Sequence, residues 1–276
     1  MPPASDPIGV FDSSVGGLSV LRALHAELPL ERFVYVGDSG YAPYGERDDE
    51  HVLQRSHAIA DYLVAKHHIK ALVVACNTAT ASAIRELRAA YPELPIVGIE
   101  PALKPAALQS KTRVVGVMAT RGTLRSEKFG ALLQDLSHDC KFVLQACDGL
   151  ADAIEHADNP KITELCRQYT AALGEFGQAP GQIDTLVLGC THYPFVVDTL
   201  KRVPSLAGND VAMLDAGKPV ALQTRRMLAQ VNLLTSEPPK AKQRDCTTVY
   251  LTTGQPELLK LAVGQWLLVD ADVQSI

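Results

Sequence analysis

Two cysteines stand in matching surroundings. Residues 72–78 read LVVACNT and residues 186–192 read LVLGCTH, so Cys76 and Cys190 each end an apolar run and each precede hydrogen-bonding side chains. A thiol where a strand opens into a helix sits at the positive end of the helix dipole, beside backbone N–H groups without partners, and its thiolate is favoured there. Two such thiols suit one kind of chemistry. Inverting a carbon that bears an acidic hydrogen needs a base on one face and an acid on the other, and a matched pair can exchange these roles with the enantiomer bound. The competing arrangement is one nucleophilic cysteine with a histidine base, for which Cys190 and His192 are candidates; it leaves Cys76 without a task.

The neighbours of the thiols suit an amino acid. Asn77, Thr78 and Thr191 follow the cysteines at expected helix starts, where side-chain donors and free N–H groups make a seat for a carboxylate. Asp12 and Ser13, at the end of the first apolar run, offer acceptors for an ammonium group, although Asp12 also reads as a helix N-cap. His192 is placed to relay protons for Cys190. Tyr44, in YAPYGE (41–46), reads either as a roof over a small polar ligand or as turn packing. Gly16–Gly17 lacks the spacing of a phosphate-binding loop and reads as a tight turn into a helix. Cys140, Cys147, Cys166 and Cys246 read as small core residues, and His25, His51, His57, His67 and His68 as solvated or capping residues on helices.

The elements that must position these groups alternate along the chain. Apolar runs at 8–12, 32–38, 71–76, 95–99, 113–119, 141–147, 184–190, 211–217 and 247–254 predict strands, and their continuous apolarity predicts parallel sheets covered on both faces. Between them GLSVLRALHAEL, DEHVLQRSHAIADYLVAKHH, SAIRELRAAY, PFVVDTLKRV and PVALQTRRMLAQV carry helical periodicity. The class is α/β, doubly wound, with ligands expected beyond the carboxyl ends of the strands. IGVFDSSVGGLSVL (8–21) can be laid on VGVMATRGTLRSEKF (115–129), and the two cysteine stretches pair at nearly the same interval. This repeat predicts two similar α/β domains, residues 1–99 with 211–276 and residues 100–210, each supplying one cysteine. The break is expected near IEPALKP (99–105), and SEPPKAKQRD (236–245) reads as a polar connection.

Composition narrows the class. With 276 residues, 47% hydrophobic and 21% charged, the chain has the profile of a globular protein, and its net charge of −5 leaves no basic footprint for nucleic acid. The start has no secretory h-region and no apolar run is long enough to span a bilayer, so the expectation is a cytoplasmic protein without membrane or nucleic-acid partners. Dispersed cysteines with no C-x-x-C pattern predict reduced thiols and no metal site.

Five motifs in order, FDSSVGGLSVL, YVGDSGYAPYGE, VVACNTATA, MATRGTLRS and LVLGCTHYPF, closely resemble the glutamate racemases. The resemblance implies two pseudo-symmetric α/β domains with the active site between them and interconversion of L- and D-glutamate without cofactor or metal. It also implies a bacterial source, a role in peptidoglycan precursor synthesis, and a homodimer as one state open to the chain. By resemblance Cys76 acts on the α-proton of the D-enantiomer and Cys190 on that of the L-enantiomer, flanked by Asp12 and His192. Ser13, Tyr44, Gly45, Asn77, Thr78, Thr120 and Thr191 would bind the zwitterion. A further acidic residue of the family aligns with Glu155 in CDGLADAIEH (147–156), but the proline-rich run before it is absent here, and a surface helix residue is the alternative reading. Other readings stay open: an aspartate or hydantoin racemase, a cysteine hydrolase or transferase using Cys190 and His192, and a non-catalytic binding protein on the same fold.

Overall fold

A computed structural model describes residues 2–236 and 248–276; Cys246, most of SEPPKAKQRD and the first residue of the last expected strand lie outside them. The chain divides into two units, one formed by residues up to Ile99 and from Gly217 onward, the other by Glu100–Ala216.

The first unit is built on a parallel sheet. Its strands are β1 (Ile8–Asp12), β2 (Phe33–Gly37), β3 (Ala71–Val74), β4 (Ile96–Gly98) and, after the second unit, β9 (Thr248–Thr252) and β10 (Val273–Ser275), in the order β10-β9-β2-β1-β3-β4. Strands β1, β2 and β3 are buried along their whole length, as expected of β-branched runs covered on both faces. Helices α1 (Leu18–Glu27), α2 (Asp49–His67) and α3 (Asn77–Ala90) belong to this unit, as do α10 (Gly217–Gln230) and α11 (Pro256–Leu267). Helix α2 packs on α3, and one apolar cluster joins Leu63, Ile59, Leu87 and Ile84 to Phe11, Leu72 and Val74; α1 packs on α10.

The second unit repeats the plan. Strands β5 (Val114–Ala119), β6 (Lys141–Ala146), β7 (Thr185–Gly189) and β8 (Ala212–Leu214) run parallel in the order β6-β5-β7-β8. Its helices are α4 (Leu103–Gln109), α5 (Arg121–Arg125), α6 (Glu127–Leu136), α7 (Leu150–Glu155), α8 (Asn159–Leu173) and α9 (Val197–Arg202). Two apolar clusters serve this sheet, one from α7, α8 and α9 and one from α4 and α6. The order β2-β1-β3-β4 in the first sheet corresponds to β6-β5-β7-β8 in the second, so β1 answers β5 and β3 answers β7.

This correspondence corrects one expectation. The run at 211–217 was expected to return to the first unit, but Ala212 and Leu214 pair with Thr185 and Val187 of β7, and the second unit extends to Ala216. The repeat explains it, because β8 is the fourth strand of its own sheet as β4 is of the other. Strand β10 and helices α4, α5, α6, α7, α8 and α11 lie outside the stretches that periodicity marked.

Candidate active site

In doubly wound sheets ligands bind outside the carboxyl ends of the strands, where the connections switch direction. In the first sheet that point lies between β1 and β3. Asp12 closes β1, Ser13 follows it, and Cys76 stands two residues beyond β3 as the N-cap of α3. The sulfur accepts the Ala79 backbone N–H at 3.4 Å, so the thiol does face the amino end of a helix. Cys76 Sγ reaches Ser13 Oγ at 3.8 Å, and Ser13 Oγ in turn donates to Asp12 Oδ1 at 3.4 Å. A thiol, a hydroxyl and a carboxylate therefore form one chain, all of them buried. Asp12 Oδ1 also accepts the Ser14 N–H at 2.8 Å. It does not cap α1, whose N-cap is Gly17. A Cβ on Gly17 would lie 2.6 Å from the Asp12 Cβ, and the residue has ordinary helical φ and ψ, so glycine is needed there for close approach to Asp12 rather than for a turn.

Asn77 and Thr78 form the first turn of α3 and are buried with the thiol. Asn77 Oδ1 is buried with no hydrogen-bond partner among the described residues. Tyr44 and Gly45 lie in a short 3₁₀ turn, Tyr44–Glu46, after the cis Ala42–Pro43 bond. The Tyr44 ring is 1% exposed and shares the apolar cluster of Cys76. Its hydroxyl donates to Asp38 Oδ2 at 2.5 Å, and burial first, then the Asp38 charge, push its pKa far up. That hydroxyl is occupied, so Tyr44 presents its ring and backbone rather than a free O–H.

The second sheet has its switch point between β5 and β7. Thr120 follows β5 and caps α5, its Oγ1 accepting the Thr123 N–H at 3.2 Å. Cys190, Thr191 and His192 follow β7 and are all buried. Gly189 pairs with Ala119, and a Cβ on it would meet the Ala119 Cβ and the Met118 carbonyl oxygen at 2.9 Å, so glycine lets the strand ends bearing Thr120 and Cys190 approach. Cys190 does not open an α-helix directly. A 3₁₀ turn, Tyr193–Val196, comes first, and its N-cap is His192.

Charge takes the place of the helix end here. His192 Nδ1 lies 3.7 Å from Cys190 Sγ, and Nε2 lies 3.5 Å from Glu155 Oε2, an ion-pair distance without the alignment of a hydrogen bond. Burial alone would lower the imidazole pKa, but the hydrogen bond to Cys190 and the pairing with Glu155 outweigh it and hold the ring well above its ordinary value. Glu155, at the end of α7, is thus no surface helix residue: its side chain is 16% exposed and faces the imidazole. The resemblance aligns Glu155 with an acidic residue of the family, and the packing of α7 on the 193–196 turn brings it to His192.

The other thiols behave as core. Cys147 and Cys166 are buried in one apolar cluster, and burial raises the Cys166 pKa to about 12. Among the described residues no cluster of three or more His, Cys, Asp or Glu is placed to hold a metal ion, and no helix is long and apolar enough to cross a membrane.

Comparison with known proteins decides the family. The pattern described as Asp/Glu/Hydantoin racemase matches residues 8–216. The chain belongs to that family. It is an isomerase by this membership. It is 48% identical over 237 residues to a glutamate racemase of Ectopseudomonas mendocina, covering 85% of this chain and 87% of that protein. It is 43% identical to one of Pseudomonas entomophila, covering 98% and 97%. Among solved structures, a glutamate racemase isoform of Bacillus anthracis superposes with a TM-score of 0.84 at 31% identity, covering 98% of this chain and 97% of that one. The Escherichia coli glutamate racemase, solved with L-glutamate and the activator UDP-MurNAc-Ala, superposes at 0.80 with 26% identity over 98% and 97%.

Proposed function

We propose that this racemase interconverts L- and D-glutamate, with the Cys76 and Cys190 thiols as its two acid–base groups, and that it supplies D-glutamate for peptidoglycan synthesis in the cytoplasm of a bacterium. The observation that carries the reading is the equivalence of the thiols: each stands just beyond the third strand of a matching four-strand set, and each is coupled to a polar relay. Relatives named glutamate racemase over most of the chain support the substrate.

With D-glutamate bound, the Cys76 thiolate takes the α-proton and the Cys190 thiol delivers one to the opposite face; with L-glutamate the roles exchange. The Ser13–Asp12 chain orients the first thiol, and the His192–Glu155 pair supplies positive charge to the second. General acid–base action contributes about a hundred- to ten-thousand-fold, so the carbanion needs further help from donors preorganised around the developing charge. Asn77, Thr78, Thr120, Thr191 and the backbone of Tyr44 and Gly45 are the groups assigned to hold the zwitterion. The buried, unpartnered Asn77 Oδ1 supports this, because an unsatisfied buried acceptor costs about 1–3 kcal/mol that a ligand N–H would offset.

The Cys190, His192, Glu155 arrangement also suits a nucleophilic cysteine with an oriented histidine. One experiment separates the readings. Proton NMR of each glutamate enantiomer in D₂O should show loss of the α-proton signal with appearance of the opposite enantiomer, abolished in both Cys76→Ala and Cys190→Ala. Retained inversion in Cys76→Ala, or exchange with aspartate in place of glutamate, would overturn the mechanism or the substrate respectively.

A further inference from the structure

Asp38 stands just past the end of β2 and is fully buried, yet its carboxylate is saturated by donors from three other parts of the first unit. Tyr44 Oη donates to Oδ2 at 2.5 Å, Arg55 of α2 bonds both oxygens at 3.0 and 2.9 Å, and Thr253, beyond β9, donates to Oδ1 at 2.8 Å. The Arg55 guanidinium is itself held, with its carbon 3.5 Å from the centre of the Tyr41 ring. A buried ion pair is a weak source of stability compared with apolar packing of the same volume, and its best-attested use is to fix a geometry. The geometry fixed here is that of Tyr44, whose ring lies in the same apolar cluster as Cys76.

We propose that Asp38 is a positioning residue for the Cys76 half of the reaction, acting through Tyr44: its carboxylate, oriented by Arg55 and Thr253, holds the Tyr44 ring as the apolar wall of the thiol. This deepens the two-thiol reading above and rests on it. Because the Tyr44 hydroxyl is occupied by Asp38, the tyrosine takes no part as acid or base. Its contribution is to exclude water beside Cys76 and to fix the backbone of the 44–46 turn. The other thiol is served differently: Cys147 occupies the place equivalent to Asp38 after β6, and its backbone carbonyl accepts the Tyr193 hydroxyl at 3.4 Å.

The test must distinguish one half-reaction from the other. The equilibrium constant of a racemisation is fixed by symmetry, so any variant lowers kcat/KM equally in both directions, and the informative quantity is the primary isotope effect with substrate deuterated at the α-carbon. Asp38→Asn and Tyr44→Phe should each lower kcat about tenfold, as a misplaced wall group does. The double variant should fall no more than about twofold below the worse single one, since both act through one contact. In each, the isotope effect should rise for D-glutamate, whose proton goes to Cys76, and fall for L-glutamate. A merely structural residue would leave that ratio in place. Isotope effects that move together, effects that multiply in the double variant, or unchanged kcat would overturn the proposal. Should Asp38→Asn not accumulate as folded protein, Tyr44→Phe removes a single oxygen and carries the same isotope test. Cys76→Ala measured alongside keeps the outcomes apart: retained inversion there refutes the two-thiol reading, whereas abolished inversion with an unsplit isotope effect refutes the role of Asp38 alone.

Discussion

The two units bring a thiol to the same place in the same strand order and then treat it differently. Cys76 caps a fourteen-residue helix and leans on a hydroxyl backed by a carboxylate, a neutral contact with the charge one step away. Cys190 precedes only a short 3₁₀ turn and has a histidine beside it, with Glu155 beyond. A long helix presents unpartnered N–H groups and a dipole, which favour a thiolate. A short turn cannot, and an imidazolium held above its ordinary pKa by the hydrogen bond to Cys190 and then by Glu155 supplies the positive charge instead. The repeat therefore fixes where the thiols stand, and the local elements fix what each of them meets.

Changing the partner of each thiol tests that contrast. His192→Asn should lower kcat about a hundredfold, because it removes the charge beside Cys190, while Ser13→Ala should cost only about tenfold, because the helix end beside Cys76 remains. Equal losses would mean that the helix does not substitute for charge. Asn77→Ala should reduce turnover as well as affinity, by about tenfold in kcat/KM; a change confined to KM would place the amide in uniform binding rather than in stabilising the transition state.

Glu155→Gln should act on His192 rather than on Cys190 directly. The folded pKa of His192 is raised, so the stability its proton contributes is fully present below the ordinary histidine value of about 6.5 and is lost as pH rises through the folded value. Removing the carboxylate lowers the folded pKa. The imidazole NMR titration should move down, and the urea midpoint should fall less between pH 6.5 and alkaline pH than in the parent protein. Smallest of all, Thr120→Val should remove the α5 cap at a cost of about 1 kcal/mol, read as a shift in the urea midpoint, with little asymmetry between the two thiols.

The sheets were largely legible in the sequence because buried parallel strands are uninterrupted apolar runs, as at 8–12 and 184–190. Strand β10 was not, since Val273–Ser275 is a short edge strand, mostly exposed and polar in two of its three residues. Helix α3 begins five residues before the stretch that periodicity marked, at Asn77. Its first turn is buried but polar, and a turn facing a site carries no apolar stripe. The cysteines stand out as candidates because they repeat. Glu155 could not be placed, because its meeting with His192 depends on how α7 packs on the 193–196 turn, which no spacing along the chain records. Asp38 lay in plain view in YVGDSGYAPYGE, at a strand end like Asp12, but its ion pair with Arg55 on α2 is a tertiary contact that no spacing along the chain records.

The interleaving of the units has a consequence for the order in which the protein comes into being. Residues 100–216 form the second unit from one unbroken stretch, whereas the first unit needs α10 on α1, β9 beside β2 and Thr253 on Asp38, all from residues translated after the second unit. Domains fold as units as the chain emerges, ordinarily the N-terminal one first. Here the sequence of events is reversed: the nascent chain can finish the surroundings of Cys190 while those of Cys76 still await their final strand, so the half that is begun first is completed last.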